Sequence, residues 1–313
     1  MTSSSGGKAA LRAGGQNVSV ALWRSMRPGQ WQKNLIAFAP LLFSAGSGWD
    51  SSDGALAVRL FGWASLAFVV LCLAASGGYL LNDARDVGAD RLHPTKQDRP
   101  IAGGLLPIDG AIASGLGLIF AALTIAAYVS APLFYTIGAY ALVTIAYTLM
   151  LRRFAGLDVV AVATGFVLRV VAGAEVIDMP VSSWILVCTA LGAAYVVLVK
   201  RAQERQLLHD EADEHRASQR VYGESGAARA ARGVALVTVV AYAMYTWTAP
   251  NLPANHAMVV TVPLVAFGLV RYRVTAMRSP ERIADELIAR DPVLLLTVAI
   301  FAIVAFVVLT MAR

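Results

Sequence analysis

The 313 residues are 58% hydrophobic and only 15% charged, whereas soluble domains carry roughly 25% charged residues, so the composition excludes a soluble globular protein. The formal net charge of +6 does not indicate nucleic-acid binding, because basic residues in cytoplasmic loops produce the same excess in membrane proteins. The sequence therefore predicts an all-α polytopic membrane protein with one membrane domain. Cys72 and Cys188 lie inside apolar runs, which indicates buried thiols rather than a disulfide or a metal pair.

The first predicted segments lead from a polar tail into the membrane. Residues 1–20 are rich in Gly, Ser and Ala and predict a disordered N-terminal tail, which leaves residues 21–313 as the predicted transmembrane domain. Residues 34–49 are uncharged but short, and we interpret them as a first span between interfacial Trp31 and Trp49. The uncharged stretch 110–151 holds two spans that meet near Pro132, and the remaining six are predicted at 58–81, 157–176, 180–199, 230–249, 256–270 and 292–312. Pro180 and Pro292 also fall at predicted helix starts.

The distribution of charge among the loops supports this topology of nine transmembrane helices. With the N-terminus inside, all of the 26 Lys and Arg residues fall in cytoplasmic segments except Arg59, Arg169 and Arg313. An asymmetry of this size predicts that the polar chemistry faces the cytoplasm. Two cytoplasmic loops, 82–105 and 200–229, are too long and too charged to be simple connectors, and they follow the second and sixth spans.

The first of these loops opens with an acidic motif, residues 82–90. It contains four candidate metal ligands: Asn82, Asp83, Asp86 and Asp90. On a helix, spacings of three and four place the three carboxylates on one face. Aspartates near a helix C-terminus oppose the helix dipole and disfavour the helix, so a compensating cation is expected. Mg²⁺ prefers such oxygen ligands and in turn binds phosphate. The competing interpretation is a solvated helix end paired with Arg85 and Arg91.

Basic residues around the acidic motif are candidate phosphate ligands. Lys96 and Arg99 follow it in a loop shaped by Gly and Pro, and Lys33 precedes the first span. Ordinary loop charge and snorkelling at the membrane interface are the alternatives for these residues. A second group begins at the end of the sixth span and comprises Lys200, Arg201, Glu204 and Arg205. Its alternative interpretation is a salt-bridged helix end, since its members are paired at i,i+4.

One charge, Arg169, falls near the middle of the fifth span, where a partner or an aqueous cavity must satisfy it. Asp158, Glu175 and Asp178 are the candidate partners, although Asp158 and Glu175 lie far from it along the helix. The sequence has no Walker loop, dinucleotide fingerprint, zinc spacing or nucleophile elbow, which disfavours covalent catalysis. A transporter of a phosphorylated solute is also disfavoured, because its ionisable groups would be spread through the spans.

The pattern Asn82-Asp83-x-x-Asp86-x-x-x-Asp90 resembles the NDxxDxxxD signature of the UbiA-type intramembrane prenyltransferases. Nine helices with active-site loops after the second and sixth are also similar to that superfamily. Typical members carry a second DxxxD motif after the sixth helix, whereas this chain has Lys-Arg-Ala-Gln-Glu at 200–204. That departure, together with segments 27–34, 82–102 and 216–222, resembles one branch of the superfamily, the decaprenyl-phosphate phosphoribosyltransferases.

The resemblance implies a pentosyltransferase that moves the 5-phosphoribosyl group from phosphoribosyl diphosphate to decaprenyl (polyprenyl) phosphate, releases diphosphate and feeds cell-wall arabinan synthesis. It implies Mg²⁺ as cofactor, the inner membrane with a cytoplasmic active site, and a homo-oligomer, a trimer. The implied metal ligands are Asn82, Asp83, Asp86 and Asp90, and the implied catalytic residues are Asp83, Asp86, Asp90, Lys96 and Arg99. The implied substrate-binding residues are Lys33, Asn82, Arg91, His93, Tyr147, Lys200, Arg201, Glu204, Arg205, Arg216, Ser218 and Tyr222. The alternative within the superfamily is transfer of a prenyl group from a prenyl diphosphate to an aromatic acceptor.

Overall fold

The computed structural model describes residues 18–93, 95–208, 217–278 and 287–311, with only the backbone of 207–208 and 217–225. Within these residues the chain is helical almost throughout, and the only extended pairing is an isolated bridge between Ala45 and Trp49. Eight of the described helices are long and apolar enough to cross a membrane. The predicted all-α polytopic membrane architecture is therefore confirmed.

Eight long helices and several short ones follow in chain order. The N-terminal part consists of α1 Val18–Ser25, the 3₁₀ helix Pro28–Phe38 and α2 Ala39–Phe43. The central part consists of α3 Gly54–Arg85, α4 Val87–Leu92, α5 Ile108–Val129, α6 Ala131–Leu149, the 3₁₀ turn Leu151–Arg153, α7 Leu157–Ile177 and α8 Ser183–Leu208. The C-terminal part consists of α9 Ala217–Thr248, the 3₁₀ helix Ala257–Thr261, α10 Val262–Arg278, α11 Leu287–Arg290 and α12 Pro292–Met311.

The first predicted span is not one of the eight long helices. Residues 34–49 divide among the 3₁₀ helix, α2 and a terminal turn. Pro28 opens the 3₁₀ helix and Pro40 stands in the first turn of α2, so each proline lies where its missing N–H costs no helical bond. Trp49 is buried, and its indole N–H donates to the Leu41 carbonyl instead of anchoring the chain at an interface. A count of nine spans is thus not confirmed.

Several helix boundaries bear on the other predictions. Pro132 lies in the first turn of α6 and Pro292 opens α12, as predicted, whereas α8 begins at Ser183 and leaves Pro180 outside the helix. α1 begins at Val18, inside the predicted tail, and residues 1–17 lie outside the described part of the chain. Both cysteines are free thiols, one buried and one half-buried.

Small residues let two pairs of segments approach closely, as is usual in membrane bundles. A Cβ added to Gly77 of α3 would lie 2.5 Å from the carbonyl oxygen of Gly115 in α5. A Cβ on Gly173 of α7 would overlap the backbone of Ala37 in the first 3₁₀ helix. These contacts fix α5 and the 3₁₀ helix against the bundle, and both segments flank the acidic motif.

A small apolar cluster ties the acidic motif to its surroundings. It joins α1, the end of α3, the following loop and the start of α5 through Ala21, Leu80, Ala84, Ile101, Leu106 and Ala111. Burial of such side chains contributes roughly 25 cal/mol per Å² of apolar surface. The cluster therefore holds the loop that carries Lys96 and Arg99 against the end of α3.

Candidate active site

The acidic motif does not form one continuous helix. α3 ends at Arg85, Asp86 caps it with φ −89° and ψ 4°, and α4 follows at once. Backbone bonds cross the break, since Asp86 N–H donates to the Asn82 carbonyl at 3.0 Å and Asp90 N–H to the Asp86 carbonyl at 2.8 Å. Asp83 and Asp90 bind one common arginine, whereas Asp86 binds another. The ligands thus form two pairs rather than the single face predicted: an inner pair, Asp83 and Asp90, and an outer pair, Asn82 and Asp86.

The inner pair is buried and held by arginines from two different segments. Arg99 Nη1 donates to Asp83 Oδ1 at 3.1 Å and to Asp90 Oδ2 at 2.7 Å. Arg27 Nη2 donates to both oxygens of Asp83, at 2.5 and 2.8 Å. Charge-assisted bonds of this kind are about twice as strong as neutral ones. Four such bonds therefore compensate the burial of the inner carboxylates, which little water reaches.

Arg27 reaches the site from a strained backbone position. Its φ of 54° and ψ of 62° lie in the left-handed region, which a side chain with a Cβ adopts at a cost of roughly 1–2 kcal/mol. Pro28 follows it directly, and the guanidinium also lies 5.1 Å from the centre of the Tyr79 ring. Such strain often accompanies functional sites, and here it aims a cation at Asp83.

The outer pair is held by Arg152, which comes from the 3₁₀ turn after α6. Arg152 donates to the two oxygens of Asp86 at 2.6 Å each, and its Nη1 also lies 3.4 Å from Asn82 Oδ1. Burial raises the pKa of the Asp86 carboxyl, but the hydrogen bonds and charge of Arg152 outweigh that effect and hold the pKa below its usual value. The same hydrogen bonds raise the pKa of Arg152. Asp86 is therefore an ionised, partly accessible carboxylate.

The hydrogen bonds of Arg85 to the end of α6 place Arg152 next to the acidic motif. The Arg85 guanidinium donates to the carbonyl of Thr148 and, at 2.9 Å, to the carbonyl of Leu149, which end α6. Cations at the C-terminal carbonyls of a helix satisfy bonds that the helix itself leaves open. The last turn of α3 is thereby fastened to the last turn of α6, and the next three residues carry Arg152 across to Asp86.

The donor set of the motif suits a hard divalent cation. Three carboxylates and one amide oxygen lie within nine residues, and Mg²⁺ commonly takes only one or two protein carboxylates, with phosphate and water completing its shell. Among the described residues no three Asp, Glu, His or Cys side chains converge closely enough to hold a metal ion alone. One pair of motif oxygens, completed by substrate oxygens, nevertheless fits the predicted magnesium site.

The other predicted residues near the acidic motif, in the first loop and at Lys33, also make contacts within the protein. Arg91 donates to the Ala102 carbonyl at 3.2 Å and so ties α4 to the following loop. His93 Nδ1 accepts the Thr95 N–H at 3.2 Å. Lys96 is half-buried, and its charge helps to lower the pKa of Asp86, so it lies close to the outer pair. Lys33 is half-buried as well and makes contacts within the protein.

Two members of the second predicted group, Arg201 and Glu204, form a triad with Asp158, which we call the buried triad because Arg201 and Asp158 are enclosed. Arg201 is 2% exposed, and it donates to Asp158 Oδ2 at 3.0 Å and to Glu204 Oε2 at 2.7 Å. Asp158 also accepts the Val159 N–H at the start of α7. The end of α8 therefore carries an i,i+3 ion pair between Arg201 and Glu204. The predicted phosphate-binding role of Arg201 does not fit this placement, because its guanidinium is enclosed and neutralised by two carboxylates.

The other members of the second group differ in what the structure describes. Lys200 and Arg205 are half-buried and make contacts within the protein. Tyr147 lies within electrostatic reach of both Arg152 and Arg201. Three predicted substrate contacts fall outside the residues and side chains that the structure describes: Arg216, Ser218 and Tyr222.

Arg169 is satisfied by neutral groups rather than by the predicted carboxylates. It is buried within α7 and donates to Asn34 Oδ1 at 2.7 Å and to the Tyr140 hydroxyl at 2.8 Å. Its guanidinium also lies 4.7 Å from the centre of the Tyr140 ring and 5.0 Å from that of Phe166. Asp158 instead binds Arg201. Cation–π contacts and amide oxygens thus replace an ion pair within the bundle.

Sequence reasoning missed Arg27, Arg152 and Arg85 as parts of the site. Arg27 belongs to a basic and aromatic segment, and Arg152 looks like ordinary loop charge after an apolar run. Their partners lie 56 and 66 residues away along the chain, so no local spacing connects them. The available signal was the sum of charges, because three aspartates in a buried motif require several cations nearby.

Known proteins are similar to this chain in both sequence and fold. The UbiA prenyltransferase family model matches residues 35–290. The decaprenyl-phosphate phosphoribosyltransferase of Mycolicibacterium smegmatis is 35% identical over 287 residues, which cover 89% of each chain. The Corynebacterium glutamicum protein of the same name is 36% identical over 197 residues, 62% of this chain and 57% of that relative. A UbiA homolog from Archaeoglobus fulgidus, solved with GPP and Mg²⁺, is 16% identical and superposes with a TM-score of 0.70 over 93% of this chain and 100% of that one. The sequence match, the helical bundle and the acidic motif together show that this chain is a membrane-spanning transferase that belongs to the UbiA prenyltransferase family.

Proposed function

We propose that the protein transfers the 5-phosphoribosyl group of phosphoribosyl diphosphate to a polyprenyl phosphate, decaprenyl phosphate, in a Mg²⁺-dependent reaction that releases diphosphate. The observation that carries this proposal is the similarity to the Mycolicibacterium smegmatis enzyme, which extends over 89% of both chains. The product of such a reaction is a lipid-linked pentose phosphate, suited to cell-wall arabinan synthesis.

The reaction needs charge stabilisation rather than a nucleophilic side chain. The bond from the anomeric carbon to the diphosphate oxygen breaks, and its electron pair leaves with the diphosphate. An oxygen of the lipid phosphate supplies the pair for the new bond to that carbon. No proton moves, because the lipid phosphate is already an anion. The sugar passes through an oxocarbenium-like state, and attack opposite the leaving group inverts the anomeric carbon.

The acidic motif is the proposed binding site for the donor diphosphate. One pair of the motif, Asn82 with Asp86 or Asp83 with Asp90, would hold Mg²⁺, and the metal would neutralise the leaving group when bound. Lys33, Lys96 and Arg99 are the proposed phosphate ligands that stabilise charge as the diphosphate departs. The half-buried position of both lysines suits this role, since electrostatic interactions are stronger where water is partly excluded.

The second group is proposed to bind the rest of the donor and the lipid phosphate. Glu204 keeps 30% of its side chain exposed while Arg201 holds one of its oxygens, so it is oriented to accept a ribose hydroxyl. Lys200 and Arg205 are the proposed phosphate ligands of this group, and Arg201 orients Glu204. The further proposed substrate contacts are Arg91, His93, Tyr147, Arg216, Ser218 and Tyr222.

The absence of a second aspartate motif from segment 200–204 supports a soluble diphosphate donor over a prenyl diphosphate. A second metal at that place would need carboxylates, and Glu204 is bound to Arg201. We further propose that the site faces the cytoplasm from the inner membrane, where a soluble sugar diphosphate is available, and that the enzyme is a homo-oligomer, a trimer. The isoprenoid tail would then lie in an apolar groove between helices.

The test is a reconstitution of purified protein with labelled phosphoribosyl diphosphate, decaprenyl phosphate and Mg²⁺. We expect labelled lipid and stoichiometric diphosphate, both abolished by chelation, and a loss of about 100-fold or more in the Asp83→Asn variant. Asp109→Asn is the matched control, because Asp109 is exposed at the start of α5 and outside the site. Turnover of a prenyl diphosphate with an aromatic acid, but not of the lipid phosphate, would overturn the proposal.

A further inference from the structure

The 3₁₀ helix Pro28–Phe38 carries part of the proposed donor site, although its own hydrogen bonds hold it weakly. Lys33 lies within it, and Arg27, which binds Asp83, directly precedes it. A 3₁₀ helix longer than three or four residues is uncommon, because its hydrogen bonds have poorer geometry than those of an α-helix. This one has 11 residues. Contacts with the rest of the bundle must therefore maintain its conformation and its position.

Asn34, the residue after Lys33, fastens the 3₁₀ helix to the bundle through its side chain. It is 1% exposed, its amide N–H donates to Cys72 Sγ at 3.2 Å, and its amide oxygen accepts from Arg169 Nε at 2.7 Å. The bond from the guanidinium is charge-assisted and is therefore the stronger of the two. Because Asn34 and Lys33 are adjacent, the bond from Arg169 also fixes the backbone that carries Lys33.

Arg169 is in turn held by α6 and by its own helix, α7. Its Nη1 donates to the Gly165 carbonyl at 2.9 Å and its Nη2 to the Tyr140 hydroxyl at 2.8 Å. The guanidinium also lies over the rings of Tyr140 and Phe166. All of these groups are neutral, and in the described part of the chain no carboxylate pairs with Arg169. Its side chain is thus fixed from one side and reaches Asn34 on the other.

A buried charge at this place is costly if its only task is to fasten helices. Apolar residues of similar volume often replace buried charges without loss of stability, so stability alone does not explain Arg169. An ionisable residue within a transmembrane span indicates a function by default. Hydrogen bonds are directional whereas apolar contacts are not, so the guanidinium can fix one orientation of Asn34.

We propose that Arg169 is a positioning residue for the transfer reaction, which holds Asn34 and thereby places Lys33 and Arg27 at the acidic motif. This inference rests on the function proposed above. Arg169 acts through Asn34 rather than on the substrates, since it is only 6% exposed. A displacement of the 3₁₀ helix by about 1 Å would move Lys33 away from its proposed phosphate, and a misplacement of that size can cost about 100-fold in rate.

The test measures donor affinity and thermal stability separately in the full-length protein. Binding of phosphoribosyl diphosphate is followed by calorimetry with Mg²⁺ and without acceptor, and the unfolding temperature is followed by thermal scanning. Arg169→Met removes the guanidinium and keeps an unbranched apolar stem, so we expect the donor to bind about tenfold more weakly. The unfolding temperature should fall as well, because the buried amide oxygen of Asn34 loses its strongest partner.

The double variant Arg169→Met/Asn34→Leu distinguishes positioning from a loss of stability. Replacement of both partners by apolar groups leaves no amide unsatisfied, so the unfolding temperature should return towards that of the wild type. Donor affinity should stay as low as in Arg169→Met, because an apolar contact does not restore the orientation of the 3₁₀ helix. Recovery of both quantities together, or an unchanged donor affinity in Arg169→Met, would contradict the inference and leave the proposed function in place.

Tyr140→Phe is the matched control, because it removes a different hydrogen bond of Arg169 and keeps the ring beneath the guanidinium. We expect a lower unfolding temperature with an unchanged donor affinity, the reverse of the double variant. A donor affinity that falls with stability in Tyr140→Phe would show that the network around Arg169 is only structural, against the inference. A wild-type protein that binds no phosphoribosyl diphosphate would overturn the proposed function and this inference together.

Discussion

The acidic motif and the buried triad lie close together and are built from the same residue types, yet they differ in access to water. In the triad, the side chains of Arg201 and Asp158 are 2% and 0% exposed. In the outer pair of the motif, the side chains of Arg152 and Asp86 are 24% and 18% exposed. An enclosed ion pair cannot change partners without leaving a buried charge unsatisfied. A partly exposed ion pair can change partners, because water satisfies the charge in between. Exposure therefore separates an ion pair that fastens helices from one that can take part in binding.

The largest effect is expected from removing one charge of the triad. Asp158→Asn leaves Arg201 buried beside a neutral amide, and breaking such a pair typically costs about 3–5 kcal/mol. We expect a lower unfolding temperature and a lower yield of folded protein in detergent, measured by thermal scanning and size-exclusion chromatography. Asp109→Asn removes an exposed carboxylate of the same type and should behave as the wild type. An unchanged unfolding temperature in Asp158→Asn would show that the triad does not fasten α7 to α8.

Removal of a cation that binds the acidic motif should instead affect activity more than stability. Arg99→Gln removes the guanidinium that bridges Asp83 and Asp90 and that we propose to bind phosphate, so kcat/KM should fall by about 10- to 100-fold. The unfolding temperature should fall less than in Asp158→Asn, because Arg27 still holds Asp83 and the glutamine amide can still donate a hydrogen bond to Asp90. Arg59→Gln, an exposed residue near the other end of α3, provides the control. Full activity in Arg99→Gln would remove Arg99 from the proposed site.

The response to salt should distinguish the acidic motif from the buried triad, with an effect smaller than that of either substitution above. Raising the ionic strength from about 0.05 M to about 0.5 M shortens the screening length severalfold and weakens interactions between partly exposed charges. We expect donor affinity, measured by calorimetry, to fall severalfold, whereas the unfolding temperature changes little because the Arg201–Asp158 pair of the triad is buried. A large drop in the unfolding temperature with unchanged donor affinity would reverse the assignment of the two clusters.

The smallest effect is expected from pH. Burial raises the pKa of Asp86, but Arg152 outweighs it, so the pKa lies below the ordinary value of 3.8. A lowered pKa contributes stability that is fully present above the pKa of the unfolded chain and is lost as the pH falls through the folded value. The difference in unfolding temperature between wild type and Asp86→Asn should therefore stay constant from about pH 5 to about pH 8 and shrink only below about pH 4. A midpoint near neutral pH would show that Asp86 is not held by Arg152.

Local features of the sequence predicted most of the fold, because apolar length alone identifies transmembrane helices. The failure lies at residues 34–49, where hydropathy cannot distinguish an α-helix from a 3₁₀ helix followed by a short α-helix. Pro28 and Pro40 mark the two points at which the helical geometry changes. The number of apolar residues is too small for a regular span, and their packing against α7 decides the outcome.

The acidic motif could be recognised in the sequence, but neither its division into two pairs nor its arginine partners could be predicted. Asp83, Asp86 and Asp90 are close in sequence, whereas Arg152, which binds Asp86, lies 66 residues away. No spacing rule connects such residues, because the contact exists only after the helices have packed. Exposure was unpredictable for the same reason, and Arg201 illustrates this, since its sequence context resembles that of the half-buried Lys200 beside it.

The close contact between Gly77 and Gly115 has a consequence for the biogenesis of the protein. α3 and α5 are consecutive spans, so they can pair as a helical hairpin soon after both have entered the membrane. The end of α3 and the segment that joins it to α5 contain the acidic motif and Arg99. The inner pair and its bridging arginine are therefore encoded within one insertion unit. Arg152 is synthesised only after α6, so the outer pair receives its arginine at a later stage of translation.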